Sequence, residues 1–181
     1  MLFRSGKPPE PDVLAELLDF RCRSFVNVVH AGDEVAEVLS QLKRRYRLGL
    51  LSNYPDGTAV RASLEKLGLT RFFDSIVVSG ELGYVKPHPL TFDTSLRELG
   101  VPAERALFAG DHWLADIQGA KRAGMQAVWM RRWAPLDEVA PRPGDFGPDA
   151  TLAHLDELPV LLGIAKEDKD ACICNAQSAG S

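Results

Sequence analysis

The chain has 181 residues, enough for one domain with a small appendage. Hydrophobic residues at 45% and charged residues at 25% exclude a wholly disordered or fibrous chain. A formal charge of −4, from 21 basic and 25 acidic residues, argues against a nucleic-acid or polyanion binder.

In chain order, a Pro-rich start gives way to a helical stretch over 12–30, with Val13, Leu14, Leu17, Leu18 and Phe20 on one side. Gly32-Asp33-Glu34 opens a second helix through Leu42, with Asp33 as its expected N-cap. The rhythm then changes to short apolar runs separated by helices. The runs are Leu48–Leu51, Ile76–Val78, Arg105–Ala109, Gln126–Met130 and a short Ala150–Leu152. The helices fall at 57–67, Pro89–Leu99, 115–123 and 155–162, several closed by glycine (Gly68, Gly100, Gly124). Runs that are apolar throughout, alternating with helices, predict βαβ units: an α/β, Rossmann-like parallel sheet with helices on both faces. The Pro-rich loop from Pro135 to Pro148 reads as a connection, and 164–181 as a disordered polar tail.

Three cysteines (Cys22, Cys172, Cys174) form no disulfide framework, and the Cys172–Cys174 pair lacks neighbouring metal ligands. No run reaches the roughly 18 apolar residues that span a bilayer, and residues 1–9 lack a signal peptide's apolar stretch. A cytoplasmic protein with no membrane or nucleic-acid partner is expected.

In open α/β sheets, chemistry gathers beyond the carboxyl ends of the strands. The first run there delivers Ser52 and Asn53. The segment after the second delivers Lys86, within Gly83-Tyr84-Val85-Lys86-Pro87-His88-Pro89. The third delivers Asp111 and, five residues on, Asp116. Taken singly, these also fit a turn, a solvated lysine and two dipole-favoured acids. Together on one rim they suit a phosphoryl group held with Mg²⁺. The Ser52 hydroxyl donates to a phosphoryl oxygen, Lys86 offsets its charge, and Asp111 and Asp116 supply hard oxygen ligands. His112, Trp113, Tyr84, His88 and Arg131-Arg132 read as bystanders or packing groups.

Leu50-Leu51-Ser52-Asn53, Val85-Lys86-Pro87-His88-Pro89 and Phe108-Ala109-Gly110-Asp111-His112-Trp113-Leu114-Ala115-Asp116 resemble the second, third and fourth motifs of the haloacid dehalogenase-like (HAD) hydrolase superfamily. The resemblance covers residues 33–163 as the α/β core and makes residues 1–32 a partial helical cap. It implies that Ser52 holds the transferring phosphoryl group and that Lys86 neutralises it. It implies that Asp111 binds Mg²⁺, and that Asp116 completes the metal site. The family chemistry is Mg²⁺-dependent hydrolysis of a small phosphate ester through an aspartyl-phosphate.

The family's first motif, an apolar strand ending in Asp-x-Asp, has no counterpart before Ser52. The one Asp-x-Asp is Asp168-Lys169-Asp170, in the polar tail. Without that central strand, the strands at 48–51 and 105–109 are expected to stand about 9–10 Å apart, their inner edges unpaired. The expectation is a truncated phosphatase, inactive alone. The alternatives are a non-catalytic phosphate- and Mg²⁺-binding remnant and a metal-free 2-haloacid dehalogenase.

Overall fold

The computed structural model describes residues 10–134 and 141–164. Two helices come first, α1 (Pro11–Val28) and α2 (Asp33–Lys43). Then follow β1 (Gly49–Ser52), α3 (Gly57–Lys66), β2 (Ser75–Val78), a short α4 (Ser79–Leu82), α5 (Pro89–Leu99) and β3 (Leu107–Gly110). A π-helical turn (Trp113–Gln118) leads into α6 (Gly119–Arg122), followed by β4 (Gln126–Met130), β5 (Ala150–Leu152) and α7 (Glu157–Leu161). The expected α/β alternation is present and every strand pair is parallel. Asp33 is the first helical residue of α2 rather than its cap; Gly32 holds the cap position, with no side-chain bond.

The strands form two sheets, β1–β2 and β3–β4–β5. Among the described residues no ladder joins β1 to β3, so the sheet has not closed across the expected gap. The two sheets nevertheless share side-chain packing. Phe92 of α5 lies in one cluster with Trp113, Ile117, Ala120 and Ala127, against which Leu51 of β1 and Phe108 of β3 pack. A second cluster sets Val60, Leu64, Leu69 and Phe72 under Val78, and a third joins Val38 and Leu42 of α2 to Val128, Met130 and Leu158. Ile164, placed by sequence at the start of the tail, is buried in this third cluster. The remaining tail calls, with Cys172, Cys174, Asp168 and Asp170, lie outside the described residues.

The connection before β5 is bound to the core. Gln118, fully buried, donates to the Phe146 carbonyl and accepts from its amide, at 2.7 and 3.0 Å. Trp113 Nε1 donates to Asp145 at 2.9 Å. The described part, 141–148, is thus a packed loop.

Two aspartates fasten the two sheets by one device. Asp74 donates its amide to the Leu48 carbonyl, accepts the Leu48 amide at 2.8 Å and pairs with Lys43 at 2.5 Å. Asp149 does the same with Ala127 of β4, accepting its amide at 2.7 Å and pairing with Lys121 at 2.8 Å. The lysine, and then the strand amide, hold each carboxyl below the usual carboxylate range. A carboxyl lowered on folding stabilises the fold above its unfolded value, about 4, and loses that contribution as pH falls through the lower folded value. Urea unfolding is therefore expected to show stability dropping as pH falls below about 4, with a shallower drop in Asp149→Asn. An unchanged slope in that variant counts against the fastening role.

Candidate functional site

β1 and β3 are parallel to their neighbours and end on the same side, so Ser52, Asp111 and the turn after Asp111 come together. A cavity of about 470 Å³ opens there, with Ser52, Asn53, Lys86, Asp111 and Asp116 all on its wall. All five residues expected from the sequence are brought to one place.

The centre is an ion pair. Lys86 Nζ lies 2.7 Å from Asp116 Oδ1, with 10% and 4% of the two side chains exposed. The ammonium also donates to the Leu51 carbonyl at 3.0 Å and stands 5.1 Å from the Phe108 ring centre. One lysine therefore spans the ends of β1 and β3. Asp116 Oδ2 accepts the His112 amide at 3.0 Å, whereas Oδ1 accepts no hydrogen bond. Charge, not alignment, holds Oδ1 to the ammonium.

The π-helical turn aims Asp116. The His112 carbonyl accepts from both Asp116 and Ile117 amides, at 2.8 and 3.3 Å, which widens the first turn. Gly110 clears the space: a Cβ there would collide with the Asp116 carboxylate, lying 2.6 Å from its Cγ. The His112 ring takes a structural part, its Nδ1 accepting the Ala115 amide at 3.2 Å.

Asn53, delivered beside Ser52, turns to the lysine loop. Its carboxamide accepts the Lys86 amide at 2.7 Å and donates to the Lys86 carbonyl at 3.0 Å. Both polar ends clamp the backbone of the lysine, so Asn53 positions Lys86. His88 accepts the Leu90 amide at the start of α5, and Trp113 is buried; both are packing groups, as expected. Arg131 and Arg132 stay on the surface, Arg132 reaching His154 at 2.9 Å.

Asp111 is half-buried, and burial pushes its carboxyl above the usual range. The Asp116 charge adds to this, while its own backbone amide and Lys86 oppose it. Two carboxylates against one ammonium leave one net negative charge, which a divalent cation would reverse. No group of three or more potential metal ligands occurs among the described residues. Two carboxylates do fit Mg²⁺, which keeps several waters and binds through one or two acids plus a substrate phosphate. The buried Oδ1 of Asp116, which faces the Lys86 ammonium at 2.7 Å and accepts no hydrogen bond, fits that assignment.

A parallel α/β domain with acids, a lysine and a serine on its strand-end rim has the charge and the donors to hold a small anionic ligand there. Residues 8–130 match the haloacid dehalogenase-like hydrolase family, and the chain belongs to it. It is 33% identical over 170 residues to the glyceraldehyde 3-phosphate phosphatase of Methanopyrus kandleri, covering 92% of this chain and 70% of that one. Against the phosphoserine phosphatase of Thermus thermophilus it is 35% identical over 127 residues, 69% of this chain and 48% of the relative. The 2-haloacid dehalogenase from Pseudomonas syringae superposes with a TM-score of 0.68 at 30% identity, over 86% of this chain and 64% of that one. The chain spans about a third to a half of several other curated phosphatases it matches.

Proposed function

We propose that this rim is the Mg²⁺ and phosphate half of a phosphatase site for a small phosphorylated substrate. The buried Lys86–Asp116 pair at 2.7 Å, beside Asp111, carries the reading. Asp111 and Asp116 would hold Mg²⁺, which when bound supplies positive charge to the phosphoryl oxygens and orients them. Ser52 donates its hydroxyl to the phosphoryl group. Lys86 gives a fixed positive charge in a dry place, where it counts most. Asn53 keeps Lys86 in position. The likeness to phosphatases of small metabolites supports this class of substrate.

Both acids are committed to the cation and the lysine, so neither is free to attack phosphorus. The chain alone is accordingly read as a binder without turnover. Residues 1–32 would be the partial helical cap, and Phe25 and Val29, at the end of α1, line the same cavity as the rim residues.

Titration calorimetry tests the site. Mg²⁺ is expected to bind the wild-type chain and to lose at least about tenfold in affinity in Asp111→Asn, about 1.4 kcal/mol. p-Nitrophenyl phosphate with Mg²⁺ is expected to show no turnover above buffer. Equal Mg²⁺ affinity in the variant removes the metal assignment; turnover removes the claim of an incomplete centre.

A further inference from the structure

We infer that the cavity behind the rim holds the apolar tail of the ligand, so that the phosphate ester bound here carries an alkyl chain rather than a polyol. The inference rests on the reading of the rim as a Mg²⁺ and phosphate site and names the ligand class of that site.

The first observation is that the cavity has two chemically distinct ends. At the mouth stand Ser52, Lys86, Asp111 and Asp116, where a hydroxyl and charge can meet an anion together with its cation. Behind them the wall is apolar. Leu50 lies two residues back along β1, about 7 Å from Ser52 at strand spacing. α3 runs back from the rim, because it connects the parallel strands β1 and β2. Val60, Leu64 and Leu67 follow along one side of it at helical spacing and line the cavity over about 10 Å. Phe25 and Val29, four residues apart at the end of α1, add a further apolar pair, and the Phe25 ring is stacked on Tyr54 at 4.0 Å.

The second observation is the state of the hydroxyl on this inner wall. Among the described residues there, Ser63 carries it; the side chain is 4% exposed and donates to the Ala59 carbonyl at 2.8 Å. Its proton is spent inside its own helix. A polyol drawn into this space would leave hydroxyls stripped of water and without a side-chain donor to meet them, which weakens binding. An alkyl chain gives up no hydrogen bond and covers Leu50, Leu51 and Leu67, all of them only partly buried.

Size and charge agree. The cavity of about 470 Å³ is of small-ligand volume. A zigzag of about eight carbons, with bonds of about 1.5 Å, matches the length of the α3 wall. At the mouth two carboxylates outweigh one ammonium, so the phosphate enters with Mg²⁺ rather than alone.

Titration calorimetry on the full chain tests this, with inorganic phosphate and with ethyl, butyl, hexyl and octyl phosphate, each with and without Mg²⁺. Sorbitol 6-phosphate and 1-octanol are the controls. Affinity is expected to rise about tenfold for each two methylenes added and to require Mg²⁺. Hexyl phosphate is expected to bind at least tenfold tighter than sorbitol 6-phosphate, which has the same number of carbons. Leu67→Gln, a change at the far end of the wall, is expected to weaken octyl phosphate at least threefold and to leave ethyl phosphate within twofold. If phosphate binds with Mg²⁺ but affinity is flat along the series, or hexyl phosphate and sorbitol 6-phosphate bind alike, the tail inference is overturned and the rim reading stands. If 1-octanol binds as tightly as octyl phosphate, the apolar wall merely adsorbs chains and the inference is overturned. An unchanged octyl phosphate affinity in Leu67→Gln overturns the placement of the tail. If neither phosphate nor any ester binds with Mg²⁺, the rim reading fails and the inference falls with it.

Discussion

Lys86→Met is expected to destabilise the chain by about 3–5 kcal/mol, the range for removing one partner of a buried ion pair. Methionine keeps the length and apolar stem of the lysine, so packing against Phe108 changes little. The charge is what goes. Asp116, with 4% of its side chain exposed, would keep the His112 amide on Oδ2, but nothing would face Oδ1. The Leu51 carbonyl would lose its donor as well. Adding Asp116→Asn to the methionine variant removes the stranded charge and is expected to recover more than half of the loss. A double-mutant cycle by urea unfolding separates the pair from its surroundings. A Lys86→Met cost below about 1 kcal/mol, the range of solvated surface pairs, would show that the pair is wet and the site as built here is wrong.

Elements governed by local rules were legible in the sequence. Ile76-Val77-Val78 could be little but a buried strand, and Gly68, Gly100 and Gly124 end their helices at φ of 66°, 63° and 81°, where other residues are strained. Elements set by distant partners were not. Arg105 and Ala106 read as strand, but Ala103–Arg105 winds into a 3₁₀ turn behind Pro102, and β3 starts at Leu107. The helix expected over 115–123 begins earlier, at Trp113, as a π turn, because one carbonyl at His112 serves two amides. The four-residue α4 has too few positions to show a period. The sequence places Asn53 beside Ser52 at a strand end and assigns it no task of its own. Its clamp on the Lys86 backbone joins residues 33 apart, and only the chain trace reveals it. The same holds for Gln118 and Phe146, 28 apart, which turn a nominal connection into a packed loop.

Phe92→Ala is the core change expected to cost most, about 3–5 kcal/mol, a large part of an ordinary domain's stability. Phe92 is 1% exposed and its ring meets Phe108 of β3 edge-on at 5.5 Å. Leu51 of β1 packs into the same cluster. The fit has no slack: a Cβ on Gly119 would sit 2.5 Å from the ring and 3.2 Å from Pro87. In a continuous sheet, backbone bonds between β1 and β3 would share the work of holding the halves together. Here no ladder joins them among the described residues, so the coupling falls to side chains: Phe92 below, Lys86 at the rim, and α2, which packs on the clusters of both sheets. Truncating Phe92 is therefore expected to do two things at once. Urea unfolding should register the lost burial, and exchange at residues 49–52 and 107–110 should quicken together while residues 126–130 change least. Because Pro87 leans on the same packing, Lys86 should loosen too, and Mg²⁺ affinity should fall although no ligand has been touched. Phe92→Leu, which fills most of the space, should keep both the affinity and the joint protection. If Phe92→Ala costs less than about 1 kcal/mol, or weakens only one sheet, then the two halves are joined by something other than this ring.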